Sequence, residues 1–224
     1  MKTWVVIPAF NEAQAVGQVV RQVLPYAQGV VVVNDGSTDA TTQVARGAGA
    51  QVVSHLTNRG YGAALVTGSQ YALSQGAETV VHFDADGQLD VQDIPRLVAG
   101  LKPGQPSVAL GSRFAGQAVG LPRSRWLTLK LAIWFTWAFS GLKLSDAHNG
   151  LRAFTAEALS LMRFTHDRMA FSSEVVDEIV RLKLSWVEVP VTVRYTDYSR
   201  RSSKQGSLPV FRIVRDLFLG KFIR

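Results

Sequence analysis

Short apolar runs rich in β-branched residues alternate with segments of helical length through the first half of the chain. The runs occupy residues 4–10, 30–35, 51–55, 79–86 and 107–114, and the helical segments occupy residues 12–24, 39–48, 61–75 and 91–101. Strands that are almost continuously apolar are typical of a parallel sheet, because connecting helices then cover both of its faces. The sequence therefore predicts an α/β, Rossmann-like fold with a mostly parallel sheet between two layers of helices. A length of 224 residues fits one such domain.

Polar residues follow three of the predicted strands directly, at positions 10–12, 34–39 and 84–88. In open α/β sheets, ligands bind beyond the carboxyl ends of the strands, so these stretches predict a binding site at one edge of the sheet. The G-x-G-x-x-G pattern of dinucleotide-binding folds is absent after the first strand, and the phosphate-loop pattern G-x-x-x-x-G-K-[ST] is absent too. The sequence therefore disfavours a nicotinamide or flavin enzyme.

Two carboxylates, Asp84 and Asp86, stand one residue apart at the end of the strand predicted over residues 79–86. In an extended segment such side chains point to the same face, where they repel each other unless a cation lies between them. Mg²⁺ is typically held by one or two carboxylates and completed by substrate phosphates, and Mn²⁺ accepts the same ligands. We therefore predict a divalent metal site that grips a diphosphate, with Gln88 as a further ligand. A solvated acidic turn is the alternative, since D-x-D often occurs by chance.

The chain has no cysteine, which excludes disulfides, thiolate metal sites and thiol catalysis. The four-residue apolar run before Pro8 is too short for a signal peptide, so we expect a cytoplasmic protein. The net charge of +7 is concentrated in residues 194–224, which hold eight Lys/Arg against two Asp. Such a basic arm suits anionic lipid, a phosphorylated substrate or nucleic acid, or is simply solvated. Nucleic acid is not expected, because no motif or aromatic pattern for it accompanies the arm.

Two segments of the second half are candidates for contact with a membrane surface. Residues 126–144 are apolar and rich in tryptophan, but only twelve residues separate Lys130 from Lys143, whereas about 20 are needed to cross a bilayer. This segment is either a buried helix or a helix in the membrane interface. Residues 208–223 predict a basic amphipathic helix, which either docks on the domain or lies on a membrane.

Four motifs in order complete a resemblance to a known family. They are Pro8-Ala9-Phe10-Asn11-Glu12, Asn34-Asp35-Gly36-Ser37-Thr38-Asp39, Asn58-Arg59-Gly60-Tyr61-Gly62-Ala63-Ala64 and Asp84-Ala85-Asp86-Gly87-Gln88. The chain resembles glycosyltransferase family 2, which has the GT-A fold, and within it the dolichyl- and polyprenyl-phosphate sugar synthases. The resemblance covers nearly the whole chain. It implies a single domain over residues 1–224, with a nucleotide-sugar-binding half at 1–114 and an acceptor-binding half at 115–224 that ends in the basic arm.

The resemblance implies roles for particular residues. The nucleotide-sugar would lie against Pro8, Phe10, Asn11, Glu12, Asp35, Arg59, Gly60, Gly62, Asp84 and Ala85. The glycines would let the backbone approach the nucleotide. Mg²⁺ or Mn²⁺ would be held by Asp84, Asp86 and Gln88, and the acceptor phosphate by Arg113, Arg125, Arg200 and Lys204.

Asp146 would lie near the reacting centre, as a base or an orienting group. It belongs to the element Asp146-Ala147-His148-Asn149-Gly150-Leu151-Arg152-Ala153-Phe154, in which Asn149 replaces the serine or threonine of many relatives. The catalytic candidates are thus Asp86, Asp146 and Arg113.

The implied function is an inverting, metal-dependent transfer of a sugar from GDP-mannose or a UDP-hexose to a polyprenyl phosphate, either dolichyl or undecaprenyl phosphate. The metal and the arginines would stabilise the charge that develops on the leaving diphosphate. A phosphate acceptor is already ionised at neutral pH, whereas a sugar hydroxyl would need a base such as Asp146. Two alternatives stay open. One is a relative that glycosylates a saccharide hydroxyl, and the other is a non-catalytic module that binds nucleotide-sugar or membrane.

A polyprenyl phosphate presents its phosphate at the membrane surface, so the expected location is peripheral, on the cytoplasmic face of a membrane. The sequence leaves open which sugar is transferred, whether the donor base is uracil or guanine, and how long the lipid is. It also leaves the oligomeric state open.

Overall fold

The computed structural model describes residues 1–168 and 170–195 of the chain. Seven strands and seven α-helices lie in this part of the chain. They are β1 (Thr3–Ala9), α1 (Val16–Val23), β2 (Gly29–Asn34), α2 (Thr41–Gly47), β3 (Gln51–Ser54), α3 (Tyr61–Ser74), β4 (Thr79–His82), α4 (Asp93–Gly100), β5 (Ser107–Val119), α5 (Arg123–Ser140), β6 (Arg152–Thr155), α6 (Ala156–Leu161), α7 (Phe171–Leu182) and β7 (Ser185–Arg194).

The strands form one sheet in the order β3-β2-β1-β4-β6-β5-β7. Neighbouring strands run parallel except where β6 pairs with β4 and β5, because β6 runs antiparallel to both. The mostly parallel sheet predicted from the apolar runs is therefore confirmed. Six of the seven strands have their carboxyl ends at the same edge.

Helices cover both faces of the sheet, as predicted. Along β1, Val5 and Ile7 point into a core formed with α1, α2 and α4, whereas Trp4 and Val6 point into a second core formed with α3, α6 and α7. This alternation follows from the two-residue period of a strand. A strand that is apolar at every position can thus belong to both cores at once.

Several elements differ from the predictions, among them α6 and α7, which were not predicted. β4 ends at His82, so Asp84 and Asp86 lie in a turn beyond the strand and not on an extended segment reaching residue 86. β6 and β7 were not predicted at all. Pro190 lies within β7, which is the last strand of the sheet, and proline is tolerated on an edge strand.

The apolar segment 126–144 forms most of α5, and this helix is not fully buried. Its outward side chains are 45–61% exposed, namely Trp126, Leu127, Leu131, Trp134 and Trp137. Across the described residues, no helix combines the length and the apolar character needed to cross a membrane. The helix predicted over residues 208–223 lies outside the described residues, as does the basic arm from residue 196 onward.

Gly68 allows α3 to pack closely on the sheet. A Cβ at this position would lie 2.3 Å from Cγ1 of Val6 and 2.9 Å from Cγ2 of Val33, whereas a Cβ at Gly47 in α2 would meet no atom within 4 Å. We expect Gly68→Ala to lower the free energy of unfolding by about 1–3 kcal/mol relative to Gly47→Ala, because overpacking a core has a cost of that size. Urea denaturation of the two variants measures the difference. Equal stabilities would contradict the close packing of α3.

Candidate active site at the carboxyl edge of the sheet

The loops that follow β1 and β2 are joined by hydrogen bonds into one wall. The backbone N–H of Asn11 donates to Oγ of Ser37 at 2.9 Å, and the side-chain oxygen of Asn11 accepts the N–H of Thr38 at 2.9 Å. The N–H of Glu12 donates to Oγ1 of Thr41, also at 2.9 Å. Two of the motifs found in the sequence therefore meet in space, as their positions after parallel strands predicted.

The carboxylate of Asp35 is buried and already engaged by the protein. Its Oδ1 accepts the N–H of Arg59 at 2.9 Å and lies 2.7 Å from Nδ1 of His55, and its Oδ2 accepts the N–H of Gly60 at 2.7 Å. Asp35 thus holds the start of α3 in place, a task that sequence reasoning did not foresee. Its contact with a base or ribose stays a prediction.

Gly60 and Gly62 are covered by another part of the chain. A Cβ at Gly60 would lie 2.5 Å from the carbonyl oxygen of Asp167, and a Cβ at Gly62 would lie 2.4 Å from that of His166. The Asp167 carbonyl also accepts the N–H of Ala63 at 3.0 Å. Protein backbone therefore occupies the space beside both glycines. This contact alone requires glycine at both positions, and their approach to a nucleotide stays a prediction.

The other residues predicted for the nucleotide-sugar lie around the same edge. Pro8 is half-buried at the end of β1, and the side chain of Phe10 is 47% exposed. The exposed Arg59 has its guanidinium 4.0 Å from the carboxylate of Asp167. Ala85 is buried in the turn after β4.

Asp84 and Asp86 are half-buried in this turn. The Tyr61 hydroxyl donates to Oδ1 of Asp84 at 2.9 Å. The backbone N–H of Gln88 donates to Oδ1 of Asp86 at 3.0 Å, and Nε2 of Gln88 donates to Oδ2 at 2.7 Å. Burial, followed by the charge of Asp84, raises the pKa of Asp86 to about 7. Burial also raises the pKa of Asp84, although the Tyr61 hydroxyl lowers it. The two carboxylates are therefore close enough to repel each other.

This carboxylate pair fits a divalent cation. A positive ion would relieve the repulsion, and the amide nitrogen of Gln88 is bonded to Asp86, which leaves the amide oxygen as a possible ligand. Within residues 1–168 and 170–195, no group of three or more His, Asp or Glu side chains is arranged to hold a metal. A site with two carboxylates and few other protein ligands suits Mg²⁺ or Mn²⁺ completed by substrate oxygens.

Gly150 brings the loop before β6 against Asp84. A Cβ on Gly150 would lie only 2.0 Å from Oδ2 of Asp84, so any larger residue would displace this carboxylate. The glycine in the element that begins at Asp146 is therefore required by contact with the D-x-D turn. Sequence reasoning placed both motifs near the reacting centre but did not identify this contact.

Arg113 and Asp146 form a buried ion pair. Nε of Arg113 donates to Oδ2 of Asp146 at 2.6 Å, and the backbone N–H of Arg113 donates to the same oxygen at 3.1 Å. Nη1 donates to the hydroxyl of Tyr195 at 2.6 Å, and Nη2 donates to the carbonyl of His148 at 3.1 Å. Of the two roles predicted for Asp146, orienting group and base, the geometry favours the first. The contact of Arg113 with an acceptor phosphate stays a prediction.

Tyr195 joins the two arginines predicted to bind the acceptor phosphate. The guanidinium of Arg125 lies 5.0 Å above the centre of the Tyr195 ring, while Arg113 bonds to the hydroxyl. Burial dominates the pKa values of Asp84 and Asp86, but the charge of Arg113 lowers the first and the charge of Arg125 lowers the second. The arginines thus act on the carboxylate pair. Arg200 and Lys204 lie outside the described residues.

Glu188 of β7 fixes the loop that carries Asp146. Its Oε1 accepts the N–H of Ser145 at 2.9 Å, the Ser145 hydroxyl at 2.8 Å and the N–H of Asp146 at 3.2 Å. Sequence reasoning missed Glu188, Tyr195 and the role of Tyr61. The sequence signal for Tyr61 was its place within a motif, whereas the other two have no comparable signal.

Comparison with known proteins decides the family. Glycosyl transferase family 2 matches residues 4–167, which carry both carboxylates, Asp146 and the loops described above. The chain belongs to glycosyl transferase family 2. It is therefore a glycosyltransferase, and its relatives place it with the polyprenyl-phosphate sugar synthases.

This family 2 glycosyltransferase is similar to two relatives of known name and to one solved structure. It is 27% identical to the UDP-N-acetylglucosamine–dolichyl-phosphate N-acetylglucosaminyltransferase of Methanococcus voltae, over 98% of this chain and 97% of that protein. It is 28% identical to the undecaprenyl-phosphate mannosyltransferase of Micrococcus luteus, over 86% and 83%. The glucosyl-3-phosphoglycerate synthase of Mycobacterium tuberculosis has the same fold, with a TM-score of 0.67, 22% identity and coverage of 98% and 79%. The GT-A fold implied by the motifs is confirmed.

His148 is held uncharged beside the site. Burial and then the charge of Arg152 lower the pKa of His148 to about 4, from 6.5. As the pH falls from 7 to 4, the unfolded chain takes up a proton on this side chain before the folded chain does, so the wild type loses stability. Glutamine does not titrate. We therefore expect the stability advantage of the wild type over His148→Gln to shrink over this range, measured by urea denaturation at several pH values. A constant difference would contradict the uncharged His148.

Proposed function

We propose that this glycosyltransferase moves a sugar from a nucleoside diphosphate sugar to a polyprenyl phosphate, with inversion at the anomeric carbon and a divalent ion bound. The observation that supports this most directly is the meeting of two carboxylates and two arginines at one edge of the sheet. Asp84 and Asp86 provide the acidic side, and the charges of Arg113 and Arg125 act on them from the other side. The carboxylates suit a metal ion with a bound diphosphate, and the arginines suit a phosphate acceptor.

The names of the relatives support each substrate. Two of them act on dolichyl phosphate and undecaprenyl phosphate, which share a phosphate on a polyprenyl chain. The M. tuberculosis synthase was solved in complex with Mn²⁺, UDP-glucose and phosphoglyceric acid, which combines a metal, a nucleoside diphosphate sugar and an acceptor with a phosphate. We propose the same combination here, with UDP-hexose or GDP-mannose as donor and Mg²⁺ or Mn²⁺ as metal.

The side chains of this protein hold the reacting groups in place. Tyr61 and Gln88 orient the carboxylates of Asp84 and Asp86 that would bind the metal. The bound ion would neutralise charge on the leaving diphosphate. Asp146 fixes Arg113, which would orient the acceptor phosphate.

The ion pair between Asp146 and Arg113 bears on which kind of acceptor the protein uses. A phosphate acceptor is ionised at neutral pH and needs no base, so Asp146 is free to serve as the partner of Arg113. A sugar hydroxyl would need an unpaired base in that position. The ion pair therefore favours a phosphate acceptor over a saccharide hydroxyl.

Asp86→Asn tests the metal site. Removing one charge of the pair should reduce transfer by roughly 100-fold or more, because electrostatic stabilisation of the leaving group is lost. The fold should survive, since no core side chain changes. The assay incubates the protein with labelled UDP- and GDP-sugars, polyprenyl phosphate and Mn²⁺ or Mg²⁺, and measures label extracted into organic solvent.

Asp90→Asn is the matched control. Asp90 lies four residues further on and pairs with Arg194, so this variant should retain activity. Full activity of the wild type in EDTA, or a wild-type rate for Asp86→Asn, would refute the metal site. Transfer to saccharides but not to lipid would favour the hydroxyl-glycosylating alternative.

We also propose that α5 lies in the membrane interface, where the phosphate of the lipid acceptor is found. Its exposed face carries tryptophan and leucine, and the same helix carries Lys130, whose Nζ lies 4.0 Å from the ring centre of Phe114. Apolar and basic groups on one helix suit such a surface. A peripheral position on the cytoplasmic face follows from the proposed acceptor and donor.

Trp134→Glu tests this position of α5. Trp134 is 61% exposed, so the change should leave the fold intact but weaken flotation with anionic vesicles, because a charge resists burial among acyl chains. Leu161→Glu is the control, since Leu161 is 49% exposed on α6. Wild-type protein that stays unbound at low salt would refute the proposal. A loss of dimer mass in Trp134→Glu with unchanged flotation would assign the face to a second copy of the chain.

A further inference from the structure

Arg152 is a buried cation whose terminal nitrogens have no hydrogen-bonded partner within residues 1–168 and 170–195. It begins β6, its side chain is only 2% exposed, and neither Nη1 nor Nη2 finds a hydrogen-bond acceptor among the described residues. Burial lowers the pKa of Arg152, but a guanidinium stays protonated in proteins. An unpaired buried charge is costly, so its presence at this position calls for an explanation.

The position of Arg152 relates it to the carboxylate pair. In the sheet it is the direct partner of His82, which precedes Asp84 by two residues. Burial is the main influence on the pKa of Tyr61, His82, Asp84 and His148, and the positive charge of Arg152 lowers the pKa of each. Gly150, two residues before Arg152, lies against the carboxylate of Asp84, so the start of β6 adjoins the D-x-D turn.

The other buried arginine near the site, unlike Arg152, has an acidic partner. Arg113 has its guanidinium paired with Asp146 at 2.6 Å, so its charge is largely balanced within the protein. The D-x-D turn, by contrast, holds two carboxylates, and burial together with the nearby charge of Glu12 raises the pKa of both. Arg152 therefore supplies a fixed positive charge behind an acidic cluster, without a carboxylate of its own within ion-pair distance among the described residues.

We propose that Arg152 is a positioning residue that sets the charge of the metal site, so that the site favours a divalent ion together with a nucleoside diphosphate over the ion alone. A bare cation is repelled by the guanidinium, whereas the complex of the ion with a diphosphate is negatively charged and is attracted. The site would then hold little metal until the donor arrives. This inference rests on the proposed function.

The test compares Arg152→Met and Arg152→Lys with the wild type by calorimetric titration. Mn²⁺ is titrated alone, and UDP or GDP is then titrated at saturating Mn²⁺. For Arg152→Met we expect Mn²⁺ alone to bind about tenfold more tightly and the nucleoside diphosphate about tenfold more weakly, because one positive charge is lost. Arg152→Lys keeps the charge and should stay close to the wild type in both titrations.

The two affinities are expected to change in opposite directions, and this distinguishes an electrostatic role of Arg152 from a purely structural one. Weakening of both affinities in Arg152→Met would show that Arg152 only maintains the shape of the site, and no change in either would show that its charge does not act on the bound metal or diphosphate. Both results overturn the inference. Arg152→Met should not lower the melting temperature, since an apolar side chain relieves an unpaired buried charge. If it does not fold, Arg152→Gln takes its place in the same titrations.

The two proposals fail in distinguishable ways. Wild-type protein that binds neither Mn²⁺ nor a nucleoside diphosphate would refute the proposed function. Wild-type binding of both, with Arg152→Met or Arg152→Gln not shifting the two affinities in opposite directions, would refute only the role of Arg152.

Discussion

Repulsion between half-buried carboxylates is the constraint on which the site depends. Asp84 and Asp86 lie in one turn, and burial makes their charges more costly than they would be in water. The surrounding groups offset this cost in part: Tyr61 and Gln88 donate hydrogen bonds, and arginines act from the other side of the site. The part of this cost that is not offset favours the binding of a cation. The same electrostatic strain that disfavours the empty turn therefore favours the metal.

The charged groups beside this turn are linked to one another by a chain of polar contacts. Glu188 holds the loop of Asp146, Asp146 holds Arg113, and Arg113 reaches Tyr195. These residues come from β5, β7 and the loop before β6, which are far apart in the sequence. A substitution at any of these residues is expected to disturb the others, because few groups in a buried charged network have alternative hydrogen-bond partners.

The first five strands were predictable because their apolar runs are continuous, which is the pattern of strands buried on both faces. β6 was not, since its four residues include an arginine, and arginine is rarely buried. β7 was hidden by Pro190, which only an edge position tolerates.

Within the site, the carboxylates and their edge of the sheet were predictable from spacing and strand direction. The partners of Asp35 and the backbone covering Gly60 were not. The backbone over Gly60 comes from residue 167, more than a hundred residues along the chain, and no local pattern records such a contact.

The reversed direction of β6 has a consequence for how the chain can be modified. Polar residues of the donor half follow their strands, whereas the loop with Asp146 and Gly150 precedes β6 and reaches the carboxyl edge because β6 runs backwards. The end of β6 at Thr155, and α6 after it, therefore lie at the opposite edge. The exposed side chains of α6, Glu157 and Ser160, are therefore natural points of attachment for a fluorophore, since a label there is separated from the chemistry by the length of the strands.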